Sequence, residues 1–180
     1  FDRATACAPG TTACQPNAQR VYSLARVAYP MNVALGTVTP KLMMHSRSYQ
    51  FDTLTQNASN QAPSSTSLSI PTFSLDATTR LERPASWAGR DMVQTLEPRV
   101  FYARTAYQDQ RLLPLYDTGR TDFSLATIYS ENPYVGQDRI VDNNAVTFGV
   151  NSRFFDNSSG AELLRLGVAQ RLRLADQRVS

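Results

Sequence analysis

With 180 residues and 42% apolar side chains, the chain can form one ordinary domain, and no apolar run approaches the ~18 residues of a membrane-crossing helix. The formal charge of +3 is too small to imply nucleic acid as a partner. Lys41 is the only lysine, and this preference for arginine suits planar pairing with carboxylates or phosphates. The chain opens on Phe1 with no charged-then-apolar leader, which reads as an internal or processed piece.

In the polar leading segment 1–19, Cys7 and Cys14 bracket Pro9 and Gly10. Those turn formers favour a local disulfide in an oxidising compartment, and the alternative is two free thiols. Period-two alternation then predicts six long strands, near 20–30, 37–51, 66–83, 91–106, 139–155 and 161–175, with no internal repeat. The first has no clear facing. In the second, Val38, Leu42 and Met44 oppose Thr39, Lys41, His45 and Arg47. In the third, Phe73, Leu75 and Leu81 oppose Thr72, Ser74, Asp76, Thr78, Arg80 and Glu82. The fourth carries LEPRVFYART, where Leu96, Val100 and Tyr102 oppose Glu97 and Arg99, and where Pro98 should loosen or bulge the ladder.

The loop 107–138 is too long for a plain turn. Asp122 is placed to cap a short helix through FSLATIYS, and Asn132–Pro133 to stop it. Leu112, Leu113, Leu115, Phe123, Leu125 and Ile128 give the loop an apolar side, so it should fold over or into a barrel mouth. Alternation is sharpest in the last two strands. Val146, Phe148, Val150 and Phe154 oppose Thr147, Gly149, Asn151 and Arg153, while Leu164, Leu166, Val168, Leu172 and Leu174 oppose Arg165, Gly167, Ala169, Arg171 and Arg173.

Connections alternate in length. Those near 31–36, 84–90 and 156–160 are short, and those at 1–19, 52–65 and 107–138 are long. Strand length and this parity predict an all-β fold, an antiparallel up-and-down transmembrane β-barrel segment of about six long strands with one long, partly folded extracellular loop. Trp87, Phe154 and Phe155 at one end, with Tyr49, Phe51 and Tyr107 at the other, are candidates for aromatic girdles. A soluble carbohydrate-binding β-sandwich and an outer-membrane porin or hydrolase barrel are the alternatives. A single histidine, His45, and no nucleophile or phosphate-loop motif argue against an enzyme and against a metal or cofactor site. The candidate lumen-facing contacts for a lipid head group or a plug are Lys41, Arg47, Arg80, Glu97, Arg99, Arg153, Arg165, Arg171 and Arg173. Cross-strand salt bridging is the more ordinary use for any one of them.

The segment from LEPRVFYART through AYQDQ, Asp138–Ile140 and VTFGVNSRF, followed by GVAQR, resembles the barrel of the lipopolysaccharide-assembly (LptD) family of outer-membrane proteins. The landmarks run in order over residues 91–179, with Gln108 and Pro133–Tyr134 departing from the family pattern. The resemblance implies that residues 1–180 are an interior part of one larger barrel domain in a Gram-negative outer membrane. Gate strands and a periplasmic domain would lie elsewhere. It implies lipopolysaccharide, membrane lipid, a plug lipoprotein, LptE, and a periplasmic lipopolysaccharide bridge as partners. Tyr107, Asp109, Gln110, Asp122, Phe123, Asp138 and Arg139 would form the extracellular cap. The family's structural disulfides join other parts of the protein, so Cys7 and Cys14 are not equated with them.

Overall fold

A computed structural model describes residues 18–51, 64–87, 89–111 and 113–179. The strands are β1 (Ala18–Ala28), β2 (Met31–Val33), β3 (Gly36–Phe51), β4 (Ser65–Thr78), β5 (Leu81–Trp87), β6 (Arg90–Thr105), β7 (Gly119–Arg120), β8 (Tyr134–Val135), β9 (Asn143–Asp156) and β10 (Glu162–Arg173). The main antiparallel sheet runs β1-β3-β4-β6-β9-β10, with β2 on β3 and β5 on β6, and β7 pairs with β8 in the loop between β6 and β9. Neighbours in the sheet are neighbours in sequence, the up-and-down order predicted. A single main sheet differs from the two facing sheets of a sandwich. Cys7 and Cys14 lie outside the described residues.

Six predicted strands become eight because two are interrupted without losing register. The pairing of β1 with β3 continues unshifted into β2 after Tyr29–Pro30, and that of β4 with β6 continues unshifted into β5 after Thr79–Arg80. Each interruption faces a proline. Tyr29 N–H donates to the Pro40 carbonyl at 3.0 Å, and Thr79 N–H donates to the Pro98 carbonyl at 3.1 Å. The return bond is missing in each pair because proline has no N–H. Pro98 therefore loosens the ladder on the β4–β5 side by one bond, as expected, but does not bulge it, and its pairing with Val150 of β9 belongs to a ladder in unbroken register. An irregularity does occur at the other end of the sheet, between Glu162 and Leu164.

Two short connections are tighter than the sequence suggested. Val33 pairs with Gly36 and Trp87 with Arg90, leaving two-residue turns, and Gly89 takes the left-handed φ of 74° that such a turn favours. The expected link 84–90 is mostly strand, and Trp87 ends β5.

Facing follows the sequence reading. Leu42, Phe73, Leu96, Val100, Phe148 and Leu166 are exposed on one side, whereas Thr72, Ser74, Thr95, Ala103 and Thr147 are buried on the other. The loop between β6 and β9 folds back against this polar side, where Glu131 accepts from the Ser74 hydroxyl and the Ile128 carbonyl from that of Thr147. The core is the layer between them, built from Tyr49, Ile70, Phe101 and Ala145 of the wall with Ile128, Ile140 and Val141 of the loop.

Replacing Pro98 by Val restores a donor opposite the Thr79 carbonyl while keeping an apolar residue on the apolar side. P98V is expected to gain about 1 kcal/mol in denaturant unfolding from lipid vesicles, with slower amide exchange at Thr79 and Arg80.

Candidate functional site

The polar side of the sheet and the loop docked on it form one continuous arrangement, from β1 across to β10. At its β1–β3 end the buried Asp138 carboxylate accepts from the Arg20 guanidinium, from Tyr49 Oη at 2.8 Å, and from the backbone N–H of Tyr116 and Asp117 at 2.7 and 2.9 Å. Four donors converge on one anion, the arrangement that makes a buried charge tolerable. Asp117 takes two further bonds from Arg20 at 3.0 and 2.9 Å, and Arg20 holds its carboxyl well below the usual range.

Next to this cluster Arg47 donates to the Gln137 carbonyl at 2.9 Å and to Gln110 Oε1. Gln110 then imitates a strand, donating to the Ile140 carbonyl at 2.6 Å and accepting from its N–H at 3.2 Å. Over β3 and β4, Glu131 meets Lys41 at 2.5 Å and the Ser74 hydroxyl at 2.9 Å. Burial pushes the Glu131 carboxyl up, but the hydrogen bond from Lys41 and its neighbours leave it net below the ordinary value.

Above β6 and β9 the loop enters a notch. Arg99 forms a bidentate pair with Asp76 at 2.9 and 2.6 Å and lies 4.3 Å from the Tyr129 ring centroid. Tyr129 packs edge-on to Phe101 and sets its hydroxyl over Gly149, where any Cβ would collide with it. Leu125 sits over Gly167, which pairs with Asn151 across the β9–β10 ladder. These two strand glycines give the loop room, the use expected where another segment approaches a sheet closely. Finally Arg171 donates to the Ser130 carbonyl at 2.5 Å and to Thr147 Oγ1 at 3.2 Å.

The predicted lumen residues therefore divide into two sets. Lys41, Arg47 and Arg171 hold the loop directly, and Arg99 holds it through Tyr129. The others stay within the wall: Arg80 pairs with Glu82, while Arg153 meets both Glu162 and, at 3.8 Å, Glu97. Arg165 pairs with Glu162 at 2.8 Å, and Arg173 is exposed with no ion pair among the described residues. His45 shares the polar side with Arg47, in the alternating positions of β3.

Among the predicted cap residues, Gln110 and Asp138 are central. Asp109 is local: its carboxyl is lowered to about 2 by hydrogen bonds from Arg111, and the pair is exposed. Arg178 lies over the ring of Tyr107 at 4.8 Å, and Arg139 over that of Tyr134 at 6.0 Å.

Three expectations fail. The segment 122–130 is one turn rather than a helix, with Ile128 N–H donating to the Ser124 carbonyl at 2.9 Å. Asp122 caps it only through its backbone carbonyl, which accepts from Thr127 Oγ1 at 2.6 Å, and Ser124 and Thr127 tie up each other's polar groups. The apolar side is also divided: Ile128 is buried, but Phe123 is 78% exposed and Leu125 and Leu115 are exposed as well. Tyr49 and Phe51, expected at a membrane girdle, lie buried and stacked on the polar side, because that is where the Tyr49 hydroxyl finds Asp138.

Sequence reasoning missed Arg20, Asp117, Glu131 and Tyr129. Gly149 and Gly167 were the available signal, since two glycines inside neighbouring strands mark a place where something must come close.

Asp138→Asn should weaken loop docking by about 3 kcal/mol, the scale of leaving a buried charge partner unmatched. The readout is faster amide exchange and protease cleavage within 106–142, with the strands still protected. The pH dependence follows from Asp117, whose carboxyl is depressed in the docked state. Docking should be at full strength above the ordinary Asp value of about 4 and be lost as pH falls below it through the lower docked value. Amide protection of the loop, followed from pH 7 downward, checks this.

The family model described as LptD: LPS transport system D matches residues 7–180. An LPS-assembly protein LptD from Polaromonas sp. (strain JS666) is 51% identical over 166 residues, covering 92% of this chain and 20% of that protein. The protein of the same name from Acidovorax sp. (strain JS42) is 50% identical with the same coverage, and that from Ralstonia nicotianae is 42% identical over 90% of this chain and 20% of its own length. The chain spans about a fifth of the length of the curated relatives it matches.

Proposed function

The chain belongs to the LptD family, and on that premise we propose that it is an interior stretch of the wall of an outer-membrane β-barrel that assembles lipopolysaccharide into the outer leaflet. The observation that carries this reading is a sheet with one apolar and one charged side, each kept in register. On the apolar side of β6, polar Gln94 and Arg104 enclose Leu96, Pro98, Val100 and Tyr102. They stand about 10 residues apart, roughly 23 Å for a strand inclined near 45°, close to the height of an outer-membrane apolar band.

Below that band a hydrogen-bonded row crosses the face from Arg83 through Gln94 to Ser152, and above it Ser46 and Ser69 bond side by side. The two-residue turns would face the periplasm and the folded loop the outside. The charged side would line a lumen through which the lipopolysaccharide head group passes without covalent chemistry. Because Arg20, Lys41, Arg80, Arg99, Arg153 and Arg165 already have acidic partners, the wall offers an anion a muted positive field rather than a trap.

The plug lipoprotein LptE would meet the free side of the loop, where Phe123, Leu125 and Val135 are exposed. The periplasmic lipopolysaccharide bridge would engage parts of the longer protein beyond this stretch, whose strands would pair with the free edges of β1 and β10. Lipid would cover the apolar side.

The test is cysteine labelling in the full-length protein reconstituted in membranes. A small charged thiol reagent should modify Glu97→Cys and leave Val100→Cys unmodified, and the opposite pattern would remove the barrel reading.

A further inference from the structure

Resting on the barrel reading, we propose that the β5–β6 hairpin reaches past the apolar band with an open strand edge on the short-turn side, and that Pro84 closes this edge to a second copy of the chain. β3 pairs with β4 only as far as Thr37 opposite Thr78, and then turns through two residues into β2. Both arms of that first hairpin end there, so among the described residues no strand flanks β5 on the side away from β6. The arm is long. Arg83 and Gln94 stand opposite one another at the limit of the apolar band, and four register pairs, from Pro84 with Val93 to Trp87 with Arg90, lie beyond it. At roughly 2.3 Å of height per residue in a strand inclined near 45°, they carry the edge about 9 Å clear of the band.

The direction of each backbone group on β5 follows from bonds along the same run of chain. The carbonyl of Ser64, which leads into β4, accepts from Phe51 N–H on the β3 side at 3.0 Å, and Thr79 N–H donates to the Pro98 carbonyl on the β6 side at 3.1 Å. Alternation in unbroken register then turns the backbone of Leu81, Arg83, Ala85 and Trp87 toward β6, and that of Glu82, Pro84 and Ser86 toward the open side.

An open edge of this kind can pair with its own copy, antiparallel and about a two-fold axis. Pro84 lies at the middle of the open positions and has no N–H to give. In an edge-to-edge pair centred on it, proline would face proline and both central bonds would be missing. Pro40 and Pro98 each cost the sheet a bond, because their missing donor faces a neighbouring strand. Pro84 costs it none, because its missing donor faces the side that no described strand occupies. Glu82 adds a charge at the same edge, exposed and ion-paired to Arg80 at 2.8 Å, which a pairing strand would have to cover.

The experiment uses the full-length barrel with its plug in detergent, and reads oligomeric state by chemical cross-linking over a range of protein concentration. Pro84→Val should raise the dimer fraction above that of wild type in a concentration-dependent way. Pro84→Val combined with Ser86→Pro, which returns a proline to the open side, should bring it back to the wild-type level. Pro98→Val, which restores a donor inside a paired ladder, should leave it unchanged. In wild type, amide exchange at Glu82 and Ser86 should be about ten-fold faster than at Arg83 and Ala85. A Pro84→Val barrel no more dimeric than wild type, a dimer that the second proline does not remove, or equal protection of the two sets of amides would overturn the proposal. A heat-modifiable folded band confirms that each variant is a barrel, and should Pro84→Val not fold, Pro84→Ala restores the same donor and is read in its place. Failure of wild type to give that band would instead count against the barrel reading itself.

Discussion

Register is the constraint on which everything else in the molecule hangs. Side chains alternate with a period of two, so a slip of one residue in β6 would turn Leu96 and Val100 toward the charged side and send Glu97 and Arg99 to the apolar one. Six long strands keep their facing across two interruptions because each interruption is a missing donor and not an inserted residue. Prolines are tolerated here for that reason: Pro40 and Pro98 each forfeit one bond while their carbonyls still accept another. Only near Glu162 does the count change, and there the surplus residue lies at the margin, beyond the apolar band.

On that fixed grid the loop between β6 and β9 finds its partners. It is held less by apolar burial than by polar groups that have no other outlet. Asp138 has no solvent and needs Arg20 and Tyr49; Gln110 completes the backbone of Ile140; Glu131 answers Lys41. Each bond to a charged group is worth on the order of 1.5–3 kcal/mol net, and each buried group would be costly alone. The loop and the polar wall therefore stabilise one another, and either alone would expose unsatisfied charge.

The strands and their facing were legible in the sequence because both follow from a local pattern. Phe148 opposite Thr147, or Leu166 opposite Arg165, needs no knowledge of the rest of the chain. The loop was legible only as a length and an apolar content. Its latch joins Arg20 to Asp138 across more than half the chain, and nothing local marks Arg20 within β1, whose alternation is weak. The helix expected after Asp122 was a propensity argument, and it lost to Ser124 and Thr127, whose hydroxyls bond one another and the Asp122 carbonyl instead of letting the turn propagate. Tyr49 was misplaced because an aromatic near a strand end suits a membrane boundary and a buried phenol equally well until the acceptor is known.

The span of the loop has a mechanical consequence. It is tied to β1 through Arg20 and to β10 through Arg171, the two margins of the main sheet. It thus behaves as a strap across the sheet, and any parting of β1 from β10 must lengthen its ties. The loop therefore braces the six long strands as one unit, in addition to the ladders that join each strand to its neighbour.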